Sequence, residues 1–124
     1  MANTNCILIP AYNAADTLRA VVLESLAHGY PLVVVDDGST DATAENLEGL
    51  PVTLLSHPVN RGKGAALKTG FAWVLQQQYD GVVTLDADGQ HDPGAISRLL
   101  AEADKKGYDC LLASRHTQFQ EMAG

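Results

Sequence analysis

Basic residues are scarce in this chain: eight Lys and Arg stand against fifteen Asp and Glu, for a net charge of −7. The few cations are scattered and form no stripe, which argues against a nucleic-acid surface. Long hydrophobic runs are absent as well; the apolar stretches are strand-length, and none reaches the ~18 residues a membrane span requires. The leading Met-Ala-Asn-Thr-Asn-Cys lacks the positive region and apolar core of a signal peptide, so the expected compartment is the cytoplasm. Cysteine is limited to Cys6 and Cys110, without a Cys-x-x-Cys spacing. Both fall in predicted strands and read as buried thiols rather than a disulfide or a zinc site. There is no linker and no low-complexity tract.

What remains is a chain of 124 residues, 46% hydrophobic and 19% charged, enough for one globular domain with a real core but short for a complete two-substrate enzyme. Strand and helix patterns alternate throughout, which predicts an α/β fold with a parallel sheet and right-handed crossovers. Asn5 to Ile9 reads as the first strand, closed by Pro10. A helix carrying Leu18, Val21, Val22 and Leu26 on one face then stops at Gly29. Leu32 to Asp36 is the second strand, a short helix ends near Gly49, and Val52 to Ser56 is the third strand. Asn60-Arg61-Gly62-Lys63-Gly64 is a basic, glycine-rich turn opening a helix whose Leu67, Phe71, Val74 and Leu75 recur at helical spacing. Gly81 to Leu85 is the fourth strand, a helix buries Ile96, Leu99, Leu100 and Ala103, and Cys110 to Ala113 is the fifth strand. Beyond it the sequence is polar, with no further periodic element.

The stretch Gly81 to Pro93 concentrates the chemistry. A β-branched run ends abruptly in Asp86, Asp88, Gln90 and His91, and Asp92-Pro93 reads as the next helix start. Three carboxylates within seven residues repel unless a cation or donors offset them, so a bound metal is the first reading. Hard oxygen donors suit Mg2+ or Mn2+ better than zinc. His91 reads as a loop hydrogen-bonder, and His28, His57 and His116 carry no assignable chemistry. In a parallel sheet ligands bind at the carboxyl ends of the strands. That edge would gather residues 10–13, Asp36, Asp37, the basic turn at 60–64, the acidic loop and Ser114-Arg115. Such an edge suits a divalent metal holding a polyphosphate, with carboxylates on the metal and cations and backbone N–H groups on the phosphates. The Gly-Lys-Gly is not a P-loop, since the four-residue spacer and the hydroxyl residue after the lysine are missing. Asp36 reads equally well as a turn cap.

Four motifs in order, Ile-Leu-Ile-Pro-Ala-Tyr-Asn, Val-Val-Val-Asp-Asp-Gly-Ser-Thr-Asp, Asn-Arg-Gly-Lys-Gly-Ala-Ala-Leu and Leu-Asp-Ala-Asp-Gly-Gln-His-Asp-Pro, resemble the family 2 glycosyltransferases. Within these, the pattern is most similar to the dolichyl- and polyprenyl-phosphate mannosyl- and glucosyltransferases. The resemblance covers about residues 5 to 115. It implies a Rossmann-like three-layer sandwich with a mainly parallel sheet, the nucleotide-sugar-binding half of a GT-A fold. It also implies that Pro10, Ala11 and Tyr12 line a base pocket, that Asp37 hydrogen-bonds the base, and that Lys63 lies near base or phosphate. Asp86 is then near ribose and diphosphate, Asp88 and Gln90 hold Mg2+ or Mn2+, and Arg115 faces an anionic acceptor.

The implied partners are a GDP- or UDP-linked sugar and a lipid-phosphate acceptor at the cytoplasmic membrane face. The implied reaction is an inverting transfer in which an anionic acceptor needs no general base. The chain departs from the family at Ala14, where many relatives have glutamate, and it is roughly half the usual catalytic length, so a domain truncated at its carboxyl end is expected. A donor-binding regulator without transfer activity, or a transferase acting on a sugar hydroxyl, are the alternatives. A phosphoryl-accepting receiver domain fits worse, because its acids follow strands one and three rather than two and four. A sheet ending at strand five would leave an edge and apolar helix faces uncovered, which predicts self-association.

Overall fold

The computed structural model describes residues 5–79, 81–85, 87, 110–113 and 119–121, the last two segments as backbone only. Six strands form one sheet: β1 Asn5–Ala11, β2 Leu32–Asp37, β3 Thr53–His57, β4 Gly81–Thr84, β5 Cys110–Ala113 and β6 Phe119–Glu121. Their order is β3-β2-β1-β4-β5-β6. The first five strands run parallel and β6 pairs antiparallel with β5. Helices α1 (Leu18–Leu26) and α2 (Lys63–Gln76) supply the other layers. The helix expected near Gly49 is a single 3-10 turn, Glu45–Leu47. The helix expected around Ile96 to Ala103 lies outside the described residues.

The central strands are apolar in both directions because both faces are covered. Ile7 and Ile9 of β1 and Leu32 and Val34 of β2 pack with Leu18, Val21 and Val22 of α1. The alternate residues Cys6, Leu8, Val33 and Val35 pack with Ala66 and Val74 of α2. Cys6 is a buried free thiol, as expected, and burial pushes its pKa up to about 12. The helix α1 ends before Gly29 as predicted, but its C-cap is Ala27 in a right-handed conformation, and Gly29, two residues beyond, takes the left-handed φ of +79°.

Three expectations needed correction. Pro10 does not close β1, which continues to Ala11. The carbonyl of Leu8 accepts from Leu85 N–H at 3.0 Å, so by the two-residue period the backbone of Pro10 also faces the β4 side. There β4 has already ended at Thr84, and the missing proline N–H interrupts no ladder. Leu75 is not part of the buried face of α2 but 74% exposed; Ala66, Gly70 and Val74 face inward instead. The helix lies so close to the sheet that a Cβ on Gly70 would stand 2.3 Å from a Leu8 methyl. The sheet does not end at strand five, because β6 covers that edge of β5. Three residues in a polar stretch carry no periodic apolar signal, so only the ladder identifies β6.

Candidate functional site

With β1 at the centre, the chain departs to one side through β2 and to the other through β4, so the strand order reverses between β1 and β4. A crevice forms at the carboxyl ends of strands at such a point. A cleft of about 600 Å³ is found there, lined by residues 10–14, Thr17, Asp37, Asn60, Lys63, Ala66 and Ala87. Sequence expectation and structure agree on this edge: Pro10, Ala11, Tyr12, Asp37 and Lys63 all border one cavity. Tyr12 is 49% exposed at its mouth. Lys63 is the first residue of α2 and exposed, which sets the helix N-terminus beside the cleft.

One wall is the loop after β1. Asn13 adopts φ of +49°, which asparagine tolerates better than most residues. Its N–H donates to Ser39 Oγ at 2.9 Å, and its Oδ1 accepts from Thr40 N–H at 2.8 Å. The next two N–H groups donate to Thr43 Oγ1 (from Ala14, 2.9 Å) and to Asp41 Oδ2 (from Ala15, 3.2 Å). The Asp41 carboxylate also accepts from the Thr43 hydroxyl and N–H, and the hydroxyl bond above all holds its pKa below the usual range. The Thr17 hydroxyl sits at the cap position of α1 but donates across the cleft to the carbonyl of Ala87 at 2.6 Å.

The other wall is organised by one carboxylate. Along β2 the pleat sends Val33 and Val35 to the α2 face, and Asp37 follows them. Asp37 is 3% exposed, and four donors converge on it. His57 Nδ1 at 2.6 Å and Arg61 N–H at 3.0 Å reach Oδ1. Asn60 Nδ2 at 3.0 Å and Gly62 N–H at 2.8 Å reach Oδ2. Burial alone would raise the Asp37 pKa, but the His57 bond and the two backbone N–H bonds outweigh it and hold the carboxyl below its ordinary range. Behind it, His57 Nε2 lies 2.8 Å from Thr69 Oγ1 on α2. Asp36, one residue earlier, points to the opposite face and accepts Ser39 N–H at 3.1 Å, as a turn cap does. Gly38 then reverses the chain with φ of +74°; a Cβ there would lie 2.3 Å from the backbone of Val59 and Asn60.

Asp86, Asp88, Gln90, His91 and Arg115 lie outside the described residues. Among the described residues no cluster of three His, Cys, Asp or Glu side chains could hold a metal. Ala87, which the sequence places between the two acids, is buried at the cleft wall. The sequence did not point to His57, Thr69 or Thr17, and it placed Asn60 at this edge only as part of the basic turn. The signal for His57 is the pairing of β2 with β3, which sets it beside Asp37 in register.

The sequence signature described as Glycosyl transferase family 2 matches residues 6–123. The undecaprenyl-phosphate 4-deoxy-4-formamido-L-arabinose transferase of Pseudomonas fluorescens is 42% identical over 115 residues, covering 83% of this chain and 33% of that protein. The polyprenol monophosphomannose synthase of Mycolicibacterium smegmatis is 36% identical over 119 residues, covering 89% of this chain and 44% of that protein. Among solved structures, the glucosyl-3-phosphoglycerate synthase of Mycobacterium tuberculosis in complex with Mn2+, uridine diphosphate and phosphoglyceric acid superposes with a TM-score of 0.64 at 26% identity, over 80% of this chain and 38% of that chain. The chain thus spans less than half the length of these relatives. With a signature covering nearly all of it and a Rossmann-like sheet matching the amino-terminal half of a GT-A fold, the chain belongs to glycosyl transferase family 2.

Proposed function

We propose that this chain is the donor-binding part of an inverting glycosyltransferase that moves a sugar from a GDP- or UDP-linked donor to a polyprenyl or dolichyl phosphate at the cytoplasmic membrane face. The observation that carries the reading is the cleft itself, which joins residues 10–14, Asp37, Lys63 and Ala87 at the switch point of the sheet. The names of two relatives, which act on undecaprenyl phosphate and polyprenol, support the acceptor class, and the UDP and Mn2+ bound by the solved synthase support the donor class.

In this reading Pro10 and Ala11 form the floor of the base pocket and the exposed ring of Tyr12 stacks on the base. The N-terminus of α2 and Lys63 attract the diphosphate, because the first N–H groups of a helix and a cation both favour an anion. Asp86, Asp88 and Gln90 are a hard oxygen donor set that would hold Mg2+ or Mn2+, which neutralises a diphosphate leaving group when bound. Arg115 faces the acceptor phosphate. That phosphate is already an anion, so the chain needs no general base for this acceptor.

Asp37 enters on different terms from those the family resemblance implies. Its carboxylate already accepts four bonds, about its full lone-pair capacity. A base N–H that bonded to it would replace a donor, most readily the exposed Asn60 amide.

Titration of the isotope-labelled chain with UDP or GDP plus Mg2+, followed by amide resonances, tests the reading. Shifts concentrated at residues 11–14 and 60–66 are expected. Shifts scattered elsewhere, with these amides unmoved, would contradict it.

A further inference from the structure

Deepening that reading of the cleft, we propose that His57 and Thr69 are positioning residues for nucleotide binding. The pair lies behind the cleft wall and fixes the one orientation of the Asp37 carboxylate that also closes the Asn60–Gly62 turn. The turn precedes α2 directly, so the orientation of this carboxylate decides where the helix N-terminus and Lys63 stand.

His57 is buried, and both of its ring nitrogens are engaged, Nδ1 with Asp37 at 2.6 Å and Nε2 with Thr69 at 2.8 Å. The neutral tautomer that satisfies both contacts donates from Nδ1 to the carboxylate and accepts the Thr69 hydroxyl at Nε2. One end of this chain of bonds is on α2, the other on β2, and the ring itself belongs to β3. With His57 Nδ1 and Arg61 N–H on Oδ1, and Asn60 and Gly62 on Oδ2, a rotation of the carboxylate breaks bonds on both oxygens at once. No buried side-chain nitrogen or oxygen among the described residues lacks a partner, so the network is complete as it stands. Complete buried networks of this kind rigidify what they connect.

The two amide isosteres of histidine separate the contacts. His57→Asn keeps a donor near the Nδ1 position and loses Thr69; His57→Gln keeps a group near Nε2 and loses Asp37. Each variant and Thr69→Val is titrated calorimetrically with UDP and with GDP in the presence of Mn2+, and amide hydrogen exchange at Arg61 and Gly62 is followed by NMR. His57→Gln should lower nucleotide affinity about tenfold and unprotect both amides, whereas His57→Asn and Thr69→Val should each lose only about two- to fourfold. The His57 Nδ1 proton of the unaltered chain should resonate as a slowly exchanging, strongly hydrogen-bonded signal. If His57→Gln does not fold, Thr69→Val still decides the matter through the two amides and the Nδ1 signal. Unchanged affinity and unchanged protection in the folded variants would overturn the proposal. Failure of the unaltered chain to bind either nucleotide would instead remove the reading of the cleft, while the exchange data would still report on the clamp.

Discussion

The two walls of the cleft hold their backbones by opposite means. The wall after β1 is distributed: three consecutive N–H groups, of Asn13, Ala14 and Ala15, donate to three separate side chains, Ser39, Thr43 and Asp41. The wall before α2 is concentrated: two backbone N–H groups and two side chains converge on the single buried carboxylate of Asp37. A distributed wall tolerates the loss of any one partner, since the others keep the loop in place. A concentrated wall fails with its hub, because removing one acceptor takes a bond from four donors at once, the buried His57 among them, and a buried unmade bond is costly.

The largest effect should therefore come from Asp37→Ala, which leaves His57, Arg61 and Gly62 without their acceptor and Asn60 with only the main-chain carbonyl of residue 37. A loss of about 3–5 kcal/mol is expected from urea denaturation, as for other buried charged hydrogen-bonding hubs. A loss below about 1 kcal/mol would put the two walls on a par. Gly38→Ala comes next, with about 2–3 kcal/mol from a left-handed backbone and a Cβ clash with two backbone neighbours. Both changes act on the same wall, where Gly38 is wedged against Val59 and Asn60.

On the distributed wall, Thr43→Val removes two bonds, one from Ala14 N–H and one to the Asp41 carboxylate, and should cost about 2 kcal/mol, while Ser39→Ala removes one neutral bond and should cost about 0.5 kcal/mol. If either matched Asp37→Ala, the contrast would be broken. Thr17→Val removes the bond to the Ala87 carbonyl and should cost about 1 kcal/mol in stability. Its larger signature is expected in weakened Mn2+-dependent nucleotide binding, because Ala87 lies between Asp86 and Asp88.

The smallest effect is in pH. Asp37 has a depressed pKa in the folded chain, so its stabilisation is present above the ordinary aspartate value and is lost as pH falls through the folded one. Melting of Asp37→Asn against the unaltered chain should show the gap between them constant near neutrality and narrowing below about pH 4. A gap that widened with acid would mean that the carboxylate is not held ionised by its donors.

Much of this architecture was legible in the residues, because strands covered on both faces and helices of one-sided apolarity leave opposite signatures. The parallel order, the end of α1 before Gly29 and the placement of residues 10–12, Asp37 and Lys63 at one edge all follow from that alternation. Two kinds of feature did not show. Contacts made by small residues have no hydrophobic period, so Ala66 and Gly70 went unnoticed on α2 while Leu75 was placed on the wrong side. Polar partnerships across strands depend on register, so His57 read as featureless until β3 set it beside Asp37. Pro10 misled because a proline stops a strand only where its missing N–H faces a neighbour.

The central claim, that the cleft is a metal-dependent nucleotide site, is tested most directly by calorimetric titration of the chain with UDP and with GDP, with Mn2+ and in its absence, alongside Asp88→Ala. The expected result is binding of at least one nucleotide only when Mn2+ is present, and its loss in Asp88→Ala with the melting transition retained. Equal affinity with and without the metal would contradict it.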